Sequence, residues 1–204
     1  MSKKPIIVFE GIEGSGKSFH INNVANYLKK KKIKFISIRE PGGNKNSEKI
    51  RSLILNNKSN FNNNTDLLLY LSARSENIDT IKNNFGKKII LLDRFVDSTL
   101  AYQHYGMGVD IKLIKFINNF LLKKIKVNFT FLNIVNQKNM LDRLSKRKSL
   151  NRYDKFKSSF YKKVQEGFIK IQKNNPKKYM QIDSNKSIME NKKIIINKID
   201  SLIR

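Results

Sequence analysis

The chain has no cysteine, which excludes a disulfide framework, a thiol nucleophile and a cysteine-built metal site. It has no apolar run near the ~20 residues that a membrane span needs. Met1-Ser2-Lys3-Lys4-Pro5 leads straight into a short apolar run, so no signal peptide is expected. A cytoplasmic protein is the plain expectation. Acidic residues are scarce, 16 Asp and Glu against 42 Lys and Arg, for a formal net charge of +26. Within that basic excess arginine is scarce in turn. Only eight positions carry it (39, 51, 74, 94, 143, 147, 152 and 204), and the other 34 are lysine.

So large a positive charge is the footprint of a nucleic-acid or membrane binder. Its distribution argues otherwise. The lysines are spread along predicted helices and are not interleaved with aromatics as in single-strand binders. Asparagine and isoleucine are abundant beside them, which is what AT-rich coding produces. Neither nucleic acid nor membrane is expected as a partner. The few arginines then become informative, because a chain that uses lysine by default has placed a planar, bidentate group there. Six of the eight fall in or beside the motifs below.

The chain turns on Gly11-Ile12-Glu13-Gly14-Ser15-Gly16-Lys17-Ser18. It fits G-x-x-x-x-G-K-S/T, the phosphate-binding P-loop, and lies between an apolar strand and a helical pattern as that motif requires. Residues 11–16 turn backbone N–H groups around the phosphates of ATP, aided by the positive end of the next helix. Lys17 reaches the β/γ-phosphates and the Ser18 hydroxyl meets Mg²⁺.

With 204 residues, 39% of them hydrophobic, the chain reads as one domain over 1–204. Strands are expected at 6–9, 34–39, 88–92, 127–132 and 179–182. Helices are expected at 17–32, 47–56, 65–85, 97–105, 110–122, 136–146, 155–173 and 187–202, the third capped by Thr65 or Asn64. Residues 56–64 form an Asn-rich loop and 147–154 a polar interruption. Strands alternating with helices imply an α/β P-loop NTPase fold, with a five-stranded parallel sheet flanked on both faces. Functional residues then belong at the strands' carboxyl ends.

Asp93-Arg94 stands at one such end, where Asp93 is placed to hold Mg²⁺ through water and Arg94 to clamp a phosphate. Arg39-Glu40-Pro41-Gly42-Gly43 stands at another. Two arginines on adjacent strand tips suit an anionic acceptor, although an ordinary turn has the same composition. Tyr70 and Arg74, four apart, share a helix face. They suit a base by stacking and edge bonding, and suit plain surface packing equally. Arg147 and Arg152 bracket a basic segment that either closes over ATP as a lid or is a solvated turn.

In this order the motifs resemble the bacterial-type thymidylate kinase family over nearly the whole chain. The specific part is Arg39–Gly43 together with Asp93-Arg94-Phe95 and Ser98-Thr99-Leu100-Ala101-Tyr102-Gln103. The resemblance implies transfer of the ATP γ-phosphate to dTMP, with Mg²⁺, by a homodimer with a basic lid at 147–154. By motif position Lys17, Asp93, Arg94, Arg147 and Arg152 are its catalytic set. Glu13 falls near the acceptor's 3′-hydroxyl, Tyr70 on the thymine ring and Arg74 at the base edge. Arg39 and Arg94 lie on the phosphate side, Pro41 also falls among the dTMP-binding residues, and Ser98 and Gln103 are near the base. Tyr70 replaces the usual Phe, Phe95 a frequent Tyr or His, and Asn151 a frequent Asp. Another nucleotide kinase and a nucleic-acid-dependent P-loop ATPase are the rival readings. The second leaves 39–43 and 98–103 unexplained.

Overall fold

The computed structural model describes residues 4–203. Residues 1–3 and Arg204 lie outside them, and with them most of the segment on which the signal-peptide expectation rests. Five parallel strands form one sheet: β1 (Ile6–Glu10), β2 (Phe35–Arg39), β3 (Ile89–Asp93), β4 (Phe129–Ile134) and β5 (Tyr179–Asp183). Their order is β2-β3-β1-β4-β5. Chain order reverses at β1, whose neighbours are β3 on one side and β4 on the other, so the P-loop leaves the sheet at its topological switch point.

Both faces of the sheet are covered, which is why its central strands read as unbroken apolar runs. Ile7, Phe9, Leu91 and Phe131 pack against Val24 and Leu28 of α1 (Lys17–Lys30) and Ile195 and Ile199 of α8 (Ile188–Ile203). Ile6, Val8, Ile90 and Leu92 turn the other way, onto Ile78 and Ile81 of α3 (Asn63–Asn84). Alternation within one strand thus serves two cores. The remaining helices are α2 (Lys45–Leu55), α4 (Val96–Thr99), α5 (Ile111–Leu122), α6 (Gln137–Ser145) and α7 (Ser158–Lys173). Among the described residues, no helix is long and apolar enough to cross a membrane.

Asparagine, so frequent here, caps helices. Asn44, Asn62 and Asn136 accept from the backbone N–H three residues on, at 2.9, 2.9 and 2.8 Å. Asn62 therefore starts α3 earlier than the caps expected at Asn64 or Thr65. The other departure is at 97–105. After α4 the chain widens into a π-helix, Leu100–Gly106, with Met107 N–H donating to Tyr102 O five residues back at 3.0 Å. Ala101, Tyr102 and Gln103 are all buried in succession. The expanded turn packs along α7 and sends both Tyr102 and Gln103 toward the strand ends.

Candidate active site

The P-loop is braced from three sides. Gly11 has φ 137°, and a Cβ there would lie 2.3 Å from the Asn133 carbonyl of β4. No side chain fits that approach, which explains the glycine. Arg143 of α6 donates Nη1 to Gly14 O at 2.8 Å and Nη2 to Ser184 O at 2.7 Å. Ser184 Oγ donates to Ser15 O at 2.7 Å. Inside the loop, Lys17 Nζ donates to Gly11 O and Ile12 O at 2.8 Å and to Ser15 Oγ at 3.3 Å. Burial, then repulsion from Arg94, lowers its pKa to about 7.

Ser18 Oγ donates to Asp93 Oδ2 at 3.1 Å, across α1 and β3. The pair offers two hard oxygen donors beside the loop. Among the described residues no group of three or more His, Cys, Asp or Glu could hold a metal. A cation here would take its other ligands from phosphate and water, the habit of Mg²⁺, so the residues fit that ion.

Arg94 organises the far wall. It holds φ 67°, costly for a non-glycine residue. Its N–H donates to Phe9 O at 3.0 Å. Nη1 donates to Gly11 O at 2.9 Å and Ser98 Oγ at 3.1 Å, and Nη2 to Glu13 Oε1 at 2.8 Å and Tyr102 OH at 3.2 Å. Tyr102 OH donates to the other oxygen of Glu13. Burial would raise the Glu13 pKa, but Arg94 and Lys17 outweigh it and hold the carboxylate below its ordinary value.

Beneath this lies Glu10, fully buried at the end of β1. It accepts from Phe95 N at 2.8 Å, Ser98 N at 3.2 Å and Ser98 Oγ at 2.5 Å, and so pins the turn that aims Arg94. Burial, then the charge of Asp97, pushes its pKa up to about 7, against the pull of Ser98, Arg94 and the Phe95 amide. An acid with a raised pKa binds its proton more tightly in the folded state. Its contribution to stability is full below about pH 4.5 and lost as pH rises through 7. The melting-temperature advantage of wild type over Glu10→Gln should therefore shrink from pH 5 to pH 8, by at most about 3 kcal/mol in free energy. A difference constant with pH would contradict the assignment.

One cleft of about 200 Å³ gathers Glu13, Lys17, Ser18, Arg39, Pro41, Tyr70, Asp93, Arg94, Ser98, Gln103 and Arg147, eleven positions picked out in the sequence. Arg39 is half exposed and paired with Glu48 at 2.9 Å. Seven of the expected residues are not in the cleft's lining: Gly11, Ile12, Gly14, Ser15 and Gly16 of the P-loop beside it, and two arginines, Arg74 and Arg152. Arg74 is 2% exposed, donating Nε to Glu40 Oε2 and Nη1 to Asn118 Oδ1, both at 2.7 Å, with Phe95 under its plane. A guanidinium this deeply buried requires such partners, and it supports the cleft wall through Glu40. Arg152 is turned away from the cleft and largely buried, ion-paired with Asp66 of α3. The cleft is also lined by residues not singled out as site residues, among them Arg51, Tyr102 and Tyr153. Arg51 Nη1 donates to Pro41 O at 2.7 Å. Its rarity as an arginine was the available signal.

A loop built for a polyphosphate, facing a wall of arginines across one cleft, defines a P-loop kinase that moves a phosphoryl group between nucleotides. The family model described as thymidylate kinase matches residues 9–195. A thymidylate kinase of Sulfurihydrogenibium is 39% identical over 196 residues, 95% of each chain. That of Acholeplasma laidlawii is 36% identical, over 95% of this chain and 97% of its own. The crystal structure of thymidylate kinase from Ehrlichia chaffeensis superposes with a TM-score of 0.75 at 29% identity, covering 96% of this chain and 98% of that one. The chain belongs to the thymidylate kinase family, and with it to the ATP-dependent nucleoside monophosphate kinases.

Proposed function

We propose that this chain transfers the γ-phosphoryl group of ATP to dTMP, giving dTDP, in the cytoplasm and with Mg²⁺ at Ser18 and Asp93. The observation that carries the reading is the Glu13–Arg94–Tyr102 cluster, which ties the P-loop to the arginine-lined side of the cleft. The donor loop and the acceptor pocket thereby share one rigid wall. Residues 11–18 hold the ATP phosphates. Tyr70 offers its ring to the base, with Gln103 and Ser98 nearby. Arg39, Arg51 and Arg94 surround the acceptor phosphate. Glu13 accepts from the acceptor sugar's hydroxyl.

When bound, Mg²⁺ neutralises charge on the phosphate oxygens. The chain's own part is positioning and electrostatics, with no covalent intermediate. Lys17 and Arg94 both line the cleft, and both lower the pKa of Glu13. Arg147 reaches the cleft from the 147–154 lid, held meanwhile by Asp154 at 2.5 Å. In the lid position seen here Tyr153 and Asn151 line the cleft and shield it from water. Initial rates with dTMP, dUMP, dCMP, dGMP and AMP as acceptors test the reading. Preference for any acceptor but dTMP would sink it.

The homodimer is part of this proposal. Leu113, Phe116 and Phe120 lie on one face of α5, and Phe116 and Phe120 are about 70% exposed. Two exposed phenylalanines at that spacing call for a covering surface, and a second copy related by a two-fold axis supplies one. Phe116→Lys with Phe120→Lys should shift the mass measured by light scattering from dimer to monomer. A dimer that survives both changes would place the contact elsewhere.

A further inference from the structure

The Asn-rich stretch after α2 and the buried Asp66 have no part in the mechanism above. Both lie under the lid. Asp66, in the first turn of α3, is 1% exposed. Both its carboxylate oxygens are taken by consecutive lid residues: Oδ1 by the Arg152 guanidinium and Oδ2 by the Tyr153 hydroxyl. The Arg152 guanidinium also packs on the rings of Phe61, at 5.6 Å, and Tyr153, at 5.1 Å. Two further bonds run the same way. Arg152 N–H donates to Leu55 O at 3.2 Å, and Asn57 Nδ2 donates to Leu150 O at 2.8 Å. The lid thus meets one continuous piece of chain, residues 55–66, through four hydrogen-bonded links.

We propose that Asp66 and the 55–62 segment form the dock on which the lid closes, with Arg152 as the latch and Asp66 as the positioning residue that sets Tyr153 against the acceptor pocket. The inference rests on the kinase reading of this site. Tyr153, so held, stands edge-on to Tyr70 with centroids 5.8 Å apart, and its hydroxyl accepts from Gln103 Nε2 at 3.3 Å. A charged pair shielded by two rings is screened little by salt and fixes one geometry. Residues on the acceptor side therefore hold the lid that covers the donor. Arg152, held on Asp66 and outside the cleft's lining, is not the cation that meets the transferring phosphoryl group. Arg147, which lines the cleft, is left for that role.

The test is a double-mutant cycle on the full-length protein with Asp66→Asn and Arg152→Gln, read in two ways. The first is hydrogen exchange of the amides at 147–156 without ligands, which does not depend on what the substrate is. Each single variant should speed that exchange at least ~10-fold, and the double variant should be no faster than either single. The second is steady-state kinetics. Each variant should raise KM for dTMP and the fraction of ATP lost to water, with the two effects non-additive. Exchange at the wild-type rate in both variants would overturn the latch. So would additive kinetics in which Arg152→Gln alone abolishes kcat. If Asp66→Asn does not fold, Arg152→Gln, changed in the lid, still gives the exchange result. If wild type fails to phosphorylate dTMP while exchange responds as expected, the kinase reading falls and the latch stands.

Discussion

Arg94→Ala is expected to lower kcat/KM by about 10³-fold or more and to destabilise the fold by about 3–5 kcal/mol. The two losses have different causes, and a second substitution separates them. The stability loss comes from Glu13, whose side chain is 12% exposed and whose partner is removed. Its carboxylate would keep the Tyr102 hydroxyl and lose the ion pair. Removing the charge as well, in Arg94→Ala with Glu13→Gln, should recover most of the stability. It should recover none of the activity, since the double variant still lacks the guanidinium that joins the two halves of the site. Denaturant unfolding and initial-rate kinetics on the three variants decide it. Stability that stays low in the double variant would show that the loss lies in the strained turn at φ 67° instead.

The parts of this site that could be read from the sequence are those whose geometry is set locally. The P-loop is eight consecutive residues whose glycines are demanded by backbone angle and approach. Asp93-Arg94 is legible because an apolar strand ends there. Strands β1 and β3 were legible because burial on both faces leaves each a four-residue apolar run before its acidic end. What escaped is set by contacts distant in the sequence. Tyr102 meets Glu13 only because residues 100–106 adopt a π-helix, and a five-residue hydrogen bond leaves no trace in a 3.6-residue pattern. Tyr153 belongs to the cleft only because Asp66, 87 residues away, holds it there. Arg74 shares a helical face with Tyr70, as the spacing required. The face cannot say that Glu40 and Asn118 lie at hand to bury it. Arginine scarcity was the one compositional signal that reached across the chain. It marked Arg51 and Arg143 as unusual without saying why. The structure shows the first in the cleft wall and the second strapping the P-loop.

Lys17→Met should lower kcat/KM for ATP by about 10²–10³-fold. It should also raise the stability of the nucleotide-free protein. These opposite signs follow from one observation. Lys17 is 7% exposed and its pKa falls from 10.5 to about 7. A base with a lowered pKa binds fewer protons folded than unfolded between pH 7 and 10.5. Stability therefore rises with pH across that window, and the full penalty is carried below pH 7. Methionine fills a similar volume without the charge. Its gain should be largest near pH 6, on the order of a few kcal/mol after the lost hydrogen bonds to Gly11 and Ile12, and should fade by pH 10. An entering triphosphate adds several negative charges around the ammonium, beyond those of Glu13 and Asp93, so wild type should gain a large thermal shift from ATP and Lys17→Met almost none. Lys17→Arg should not restore activity, because a planar fork cannot reproduce the ammonium's bonds to Gly11 O, Ile12 O and Ser15 Oγ. Melting curves at pH 6 and 9, with and without ATP, carry the test. A variant less stable than wild type at pH 6 would mean that the bonds to Gly11 and Ile12 outweigh the cost of burying the charge.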